Sequence, residues 1–216
     1  MDLKHLLDVV LHLDAHLNEW AASLGPWTYV LLFAIVFAET GLVVTPFLPG
    51  DSLLFACGAL AANGTLDVWI VWALLTTAAI LGDAVNYAAG RYAGPRVFRA
   101  EDRSGLVHKL LNREHLAEAH AFFERHGGKA IVLARFVPIV RTFVPFVAGA
   151  GTMTYRAFAI YNIAGAILWV SVCVGAGYAF GNVPIVKNNF SLVALGIVIV
   201  SVVPMAIDLL RRRRKS

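Results

Sequence analysis

Apolar residues occur along this chain in runs of different length, and the length of each run predicts how it meets a bilayer. Residues 66–90 and 157–180 are long enough to cross the hydrocarbon core as helices, and residues 190–210 make a third such run. Residues 27–62 are apolar except for Glu39 and Asp51. That stretch is too long for one span and too short for two spans with a loop. It is broken at Pro46-Phe47-Leu48-Pro49-Gly50, where two prolines and a glycine end one helix and permit a tight turn. The arm after the break, residues 53–62, reaches about 15 Å, half of the core. The pattern therefore predicts a re-entrant hairpin over 27–62. Residues 130–153 are apolar too, yet hold Arg135, Pro138, Arg141 and Pro145. A simple span there would place two arginines in lipid, at about 2.5–3.5 kcal/mol each near the centre. A second re-entrant hairpin buries them in protein or in a wet cavity instead.

The remaining segments are polar or amphipathic. Residues 3–20 set Leu3, Leu6, Leu7, Val10, Leu13, Leu17 and Trp20 at helical spacing, with Lys4, His5, Asp8, His12, His16 and Glu19 opposite. This predicts an interfacial amphipathic helix within residues 1–24. His5, His12 and His16 share a face, which suits metal or proton binding, although a solvated polar stripe is the simpler account. Asn63-Gly64 punctuates the start of the first span. Residues 91–129 carry eight basic residues against five acids and are expected to form a cytoplasmic loop. Within it, residues 113–126 predict a short surface helix ending at Gly127-Gly128.

Composition sharpens this picture. The chain has 216 residues, of which 59% are hydrophobic and only 15% charged. It is expected to be an integral membrane protein with one membrane domain, all-α. The net charge is +4, but the basic residues cluster at membrane edges, most densely in Arg211-Arg212-Arg213-Arg214-Lys215. That cluster predicts a cytoplasmic C-terminus and argues against nucleic acid as a partner. Cys57 and Cys173 lie in apolar runs and are expected to be packing residues. No cofactor or metal is expected. Residues 1–20 are interrupted by acids and histidines, so no cleavable signal peptide is expected there. Self-association into a homo-oligomer is left open.

The two halves resemble each other. Pro46-Phe47-Leu48-Pro49-Gly50 matches Pro145-Phe146-Val147-Ala148-Gly149, Ala79-Ile80-Leu81 matches Ala166-Ile167-Leu168, and Ala89-Gly90 with Gly94 matches Ala176-Gly177 with Gly181. Together these suggest a duplicated unit of hairpin plus span. With loop 91–129 inside, the first hairpin opens outside and the second inside, so the copies are inverted, as in many secondary transporters.

In such transporters, broken helices meet near mid-membrane with their positive N-terminal ends toward anions. Here one hairpin brings Glu39 and Asp51, and the other Arg135 and Arg141. Opposed charges make burial tolerable. The arginine forks suit bidentate phosphate binding, and a carboxylate in a low-dielectric cavity is disposed to take a proton. Asp51 also suits an N-cap for the helix at 53–62. Asp83, on one face of the first span with Asn86, Tyr87 and Gly90, serves either as a proton relay or as a hydrogen-bonding packer. Asn162, in the later span, reads as helix–helix glue.

These motifs, Phe37-Ala38-Glu39-Thr40-Gly41, Pro46 to Asp51, Gly82-Asp83 with Tyr87, Gly90 and Gly94, and Arg135-Phe136-Val137-Pro138 with Arg141-Thr142 and Gly149, together resemble the DedA family, the bacterial proteins with a VTT (SNARE-associated) domain. The resemblance covers roughly residues 25–185, followed by a C-terminal span and basic tail at 186–216. It implies two facing re-entrant hairpins, with Glu39, Asp51, Arg135 and Arg141 as functional residues. It also implies a role in envelope homeostasis: members are implicated in returning undecaprenyl phosphate across the inner membrane, in proton-dependent transport, in polymyxin resistance and in phospholipid flipping. The expected partners are therefore an anionic lipid (a polyprenyl phosphate or a phospholipid), protons and the bilayer. The alternatives are a proton-coupled transporter of a small cation or drug, a phospholipid scramblase, and a structural protein. An enzyme is not expected, since neither His-Glu-x-x-His nor Gly-x-Ser-x-Gly occurs.

Overall fold

The computed structural model describes residues 24–42, 50–99, 113–181 and 183. The amphipathic helix expected at 3–20, residues 46–49 of the expected break and the span expected at 190–210 lie outside the described residues. Among those described, every regular element is a helix: α1 (Trp27–Gly41), α2 (Gly50–Ala62), α3 (Val68–Arg99), α4 (Arg113–His126), α5 (Lys129–Ala134), α6 (Pro138–Ala150) and α7 (Tyr155–Gly181).

Two of these are long and apolar enough to cross a membrane, Val68–Gly94 within α3 and all of α7, each of 27 residues. At 1.5 Å per residue each runs about 40 Å, beyond the roughly 30 Å hydrocarbon core. The faces they leave uncovered carry Trp69, Ile70, Leu81 and Val85 on α3, and Ile160, Ile163, Ile167, Leu168 and Val172 on α7. Water would solvate such faces poorly, whereas lipid tails match them. By contrast α1, α2 and α6, of 15, 13 and 13 residues, reach only about 20 Å.

Several boundaries differ from those read in the sequence. The first span does not stop at residue 90: α3 continues to Arg99, so Arg91, Arg96 and Arg99 belong to a helix rather than a loop. The α2 arm starts three residues before 53, and Asp51 lies inside its first turn rather than capping it. A carboxylate there still meets the positive end of the helix dipole. Within residues 130–153 the turn is Arg135–Val137, with Pro138 opening α6 at its first turn and Pro145 inside the helix. Pro138 loses no hydrogen bond there, because first-turn N–H groups have no intrahelical partner. α4 has the bounds the sequence predicts, and ends where Gly127 takes φ 56, a left-handed conformation that glycine adopts without strain.

The described chain forms two compact units. In the first, α2 lies against the second half of α7 so closely that side chains are excluded. A Cβ on Gly58 would collide with the Val174 carbonyl, one on Gly177 with the Phe55 carbonyl, and one on Gly181 with Ala59. Asp67 caps α3, its Oδ1 accepting from the Trp69 and Ile70 amides at 2.8 and 3.0 Å. Trp72 Nε1 donates to Ser171 Oγ at 2.9 Å. Both cysteines are in this unit, neither of them in a disulfide, with Cys57 buried.

In the second unit α6 lies against α3 in the same way. A Cβ on Gly149 would meet the Tyr87 carbonyl, one on Gly90 the Phe146 carbonyl, and one on Gly94 Ala150. The span matches at an offset of 87 thus occupy like surroundings: Gly90 and Gly177 each face a phenylalanine carbonyl, and Gly94 and Gly181 each face an alanine. Gly149 likewise has the surroundings of Gly58, each facing a carbonyl and, one turn on, an amide of the span beside it. α4, α5 and α6 pack together around a core containing Leu116, Ile131, Phe143, Val144 and Phe146. Tyr87 stacks on Phe158 at 4.4 Å between centroids and donates to the Met153 carbonyl at 2.6 Å.

If the glycine contacts set these helix pairs, Gly90→Val, which drives a branched side chain into the Phe146 backbone, should cost about 1–3 kcal/mol or more. Its melting temperature in detergent should fall clearly. Gly175→Ala, where nothing lies within 4 Å, should leave the melt unchanged or raise it slightly, since alanine is the better helix former.

Candidate functional site

The second unit brings four charged side chains into its interior. Glu39 is fully buried near the end of α1, and Asp83 is 4% exposed in the middle of α3. Arg135 closes α5 and is 5% exposed, while Arg141 lies one turn into α6 with its side chain 10% exposed. They form two ion pairs. Arg141 Nη2 donates to Glu39 Oε1, and Arg135 Nη2 donates to Asp83 Oδ2 at 2.5 Å. Two cations and two anions cancel, which makes the burial tolerable where an isolated charge would not be.

The acid on Arg135 is a change from the sequence reading, which set Glu39 and Asp51 against the two arginines. Asp83, held there as either relay or packer, supplies the second carboxylate. Asp51 belongs to the first unit, half-buried in the first turn of α2.

Neutral side chains hold the pairs in place. Arg135 Nη2 also donates to Asn162 Oδ1 at 2.6 Å, and Asn162 Nδ2 donates to the Ile80 carbonyl at 3.0 Å. Asn162 is thus both the helix–helix glue expected and a direct ligand of Arg135. Asn86, fully buried, donates through Nδ2 to the carbonyls of Thr40 at 3.2 Å and Thr142 at 2.7 Å. The Thr40 carbonyl lies in the last turn of α1, where carbonyls lack intrahelical partners. The Thr142 carbonyl lies beside the ladder position that Pro145 interrupts. One amide on α3 therefore ties the end of α1 to α6 beside its internal proline. Space is made by glycines: a Cβ on Gly82 would strike Thr40 Oγ1, and one on Gly165 would lie 3.1 Å from Arg135 Nε.

Thr40, Asp83, Arg135, Arg141, Thr142 and Trp169 line a small, partly enclosed cleft of about 10 Å³, room for about one water molecule. Trp169 is 2% exposed, with the guanidinium carbons of Arg141 and Arg135 at 5.4 and 5.8 Å from its ring. Glu39 Oε2 and Arg135 Nε are buried without a hydrogen-bond partner among the described residues, so the pairs retain bonding capacity. The first turn of α6 has no side-chain cap, leaving its positive end available to an anion. No group of three or more potential metal ligands occurs among the described residues.

Glu39, Arg135, Arg141 and Asp83 were legible in the sequence, because charge in an apolar run stands out. Asn86 showed only as a neighbour of Asp83 on one helical face. Thr40 and Thr142 showed only as members of the motifs around Glu39 and Arg141, and Trp169 gave no signal, since a tryptophan is ordinary in an apolar helix.

Removing one partner of a buried pair should cost more than removing both. Asp83→Ala leaves the Arg135 guanidinium with only Asn162 and the Trp169 ring, at about 3–5 kcal/mol. Asp83→Ala with Arg135→Met should recover much of that loss. Chemical denaturation in detergent micelles measures both, and equal or additive losses would show that the pair is not coupled.

A VTT domain model matches residues 48–179. Protein DedA of Escherichia coli (strain K12) is 53% identical over 219 residues, covering 100% of this chain and 98% of that protein. An uncharacterized membrane protein of Mycobacterium leprae is 43% identical over 188 residues, covering 87% of this chain and 80% of its own. Inner membrane protein YghB of Escherichia coli (strain K12) is 37% identical over 186 residues, covering 84% and 82%. No solved structure matches the chain. With a VTT domain over most of its length and full-length similarity to such relatives, this chain belongs to the DedA family of membrane proteins.

Proposed function

We propose that this chain is a flippase-type transporter that carries a lipid phosphate, undecaprenyl phosphate, across the bacterial inner membrane in a proton-coupled step that supports the cell envelope. The observation that carries this reading is the pair of buried guanidiniums, each balanced by a carboxylate, lining one small cleft. Guanidinium forks match phosphate oxygens in shape and charge. The uncapped first turn of α6 adds partial positive charge on the same element as Arg141.

Coupling follows from competition for the same guanidiniums. While Glu39 and Asp83 are ionised, they hold Arg141 and Arg135. A proton on either acid weakens that hold, and the released fork takes a phosphate oxygen. Proton and anion then favour each other's binding. Loss of the proton lets the carboxylate reclaim its arginine and expel the headgroup. Asp51, in the first turn of α2, is a further candidate for proton coupling.

The architecture offers a route. Short helices that do not reach across the core suit re-entrant hairpins over 27–62 and 130–153, and the like surroundings of Gly90 with Gly177 and of Gly149 with Gly58 suit two copies of one unit. An inverted repeat of this kind alternates access around a site near the midplane. The basic loop and the Arg-rich tail put both on the cytoplasmic side.

Proteoliposomes carrying labelled undecaprenyl phosphate test this directly. Translocation should accelerate when a pH gradient drives protons in the direction of lipid movement. Arg135→Ala with Arg141→Ala should abolish it, while the lysine variants retain a fraction, because an ammonium lacks the planar fork. Glu39→Gln should lose the response to the gradient. Wild-type translocation by the double alanine variant would refute the proposal.

A further inference from the structure

We propose that Trp169 is a positioning residue whose indole face holds both guanidiniums on the cleft wall and keeps them there when their carboxylates are neutralised. The two ion pairs are built from elements other than α7: the acids stand on α1 and α3, and the arginines on the α5–α6 turn and α6. α7 meets them with an uncharged face. Asn162, Gly165 and Trp169 follow one another at i, i+3 and i+7, so they share one side of the helix. Each serves Arg135: Asn162 accepts its proton at 2.6 Å, Gly165 leaves room beside Nε, and Trp169 presents its ring. The same ring reaches Arg141 at 5.4 Å.

A tryptophan face carries negative quadrupole density and attracts cations more strongly than other aromatic rings. Two guanidiniums converging on one cleft repel each other, and a shared ring offsets part of that repulsion. The charged groups around it are Arg135, Arg141, Asp83 and Glu39. When a proton neutralises either acid, the guanidinium loses its carboxylate but not the ring. It therefore stays aimed into the cleft, where an anion meets it already placed. The part of this inference that concerns anions rests on the lipid-phosphate function proposed above; the contact between ring and guanidinium does not.

Phe and Leu are both smaller than Trp and share the cost of the space left behind, but only Phe retains a π face. Dodecyl phosphate, a phosphomonoester amphiphile, is the probe, titrated by calorimetry into purified full-length protein in detergent. Trp169→Phe should bind it within a few-fold of wild type. Trp169→Leu should bind it roughly tenfold more weakly, the scale of one or two desolvated cation–π contacts. A second readout needs no ligand: the emission attributable to Trp169, wild type minus Trp169→Phe, should shift when Arg141→Gln or Arg135→Gln is introduced. Equal binding by the Phe and Leu variants, or an unchanged difference emission in both glutamine variants, overturns the positioning role. If the emission shifts while wild type binds no dodecyl phosphate, the ring–guanidinium contact stands and the phosphate function falls.

Discussion

The rest of the second unit depends on two arginines being neutralised away from water. A guanidinium does not shed its proton in a protein, so the fold must bring a carboxylate to each. It does so from helices far apart in sequence, Glu39 for Arg141 and Asp83 for Arg135. Much else serves that requirement. Gly82 lets α1 approach α3 beside Asp83, Gly165 clears room for Arg135, and Asn86 ties the carbonyls of Thr40 and Thr142. The broken helices give the arginines a place to emerge. The turn at 135–137 puts Arg135 at the end of one helix and Arg141 near the start of the next.

Such a site is poised rather than inert. A buried pair contributes little net stability against an apolar replacement, but breaking it is costly. Under the function proposed above, that asymmetry makes a carboxylate's proton a strong lever, because a guanidinium whose acid is neutralised is left short of a negative partner in a low-dielectric interior. An anionic headgroup is a partner of the right charge. Membrane-interior charges are expensive enough that they are kept chiefly where they act on ions, protons or charged ligands.

The sequence made the architecture legible where composition and helix-breaking residues agree. α4 runs over 113–126 as expected, because a glycine with positive φ ends it. The two long spans were visible from length alone, yet α3 runs past its apolar end to Arg99. The first charged residues end the apolar run, not the helix, and Gly90 and Gly94 allow close packing rather than termination. Pro138 and Pro145 look alike in sequence, but one opens α6 and the other sits within it. The charged members of the site were legible one by one; their pairing was not. Arg135 lies 52 positions from Asp83, and no local pattern chooses Asp83 over Asp51. Trp169 was hidden because an aromatic residue in an apolar span looks the same whether it faces lipid or a pair of guanidiniums.

The central claim is that the buried carboxylates and an anionic headgroup compete for the same two guanidiniums. Proton uptake on binding tests it most directly. A phosphomonoester amphiphile is titrated into the purified protein in buffers of equal pH and different ionisation enthalpy, and the buffer dependence of the heat counts the protons taken up. The account predicts net uptake by wild type, reduced when Glu39 or Asp83 is replaced by its amide. Binding with no proton uptake, or uptake unchanged in both amide variants, would contradict it.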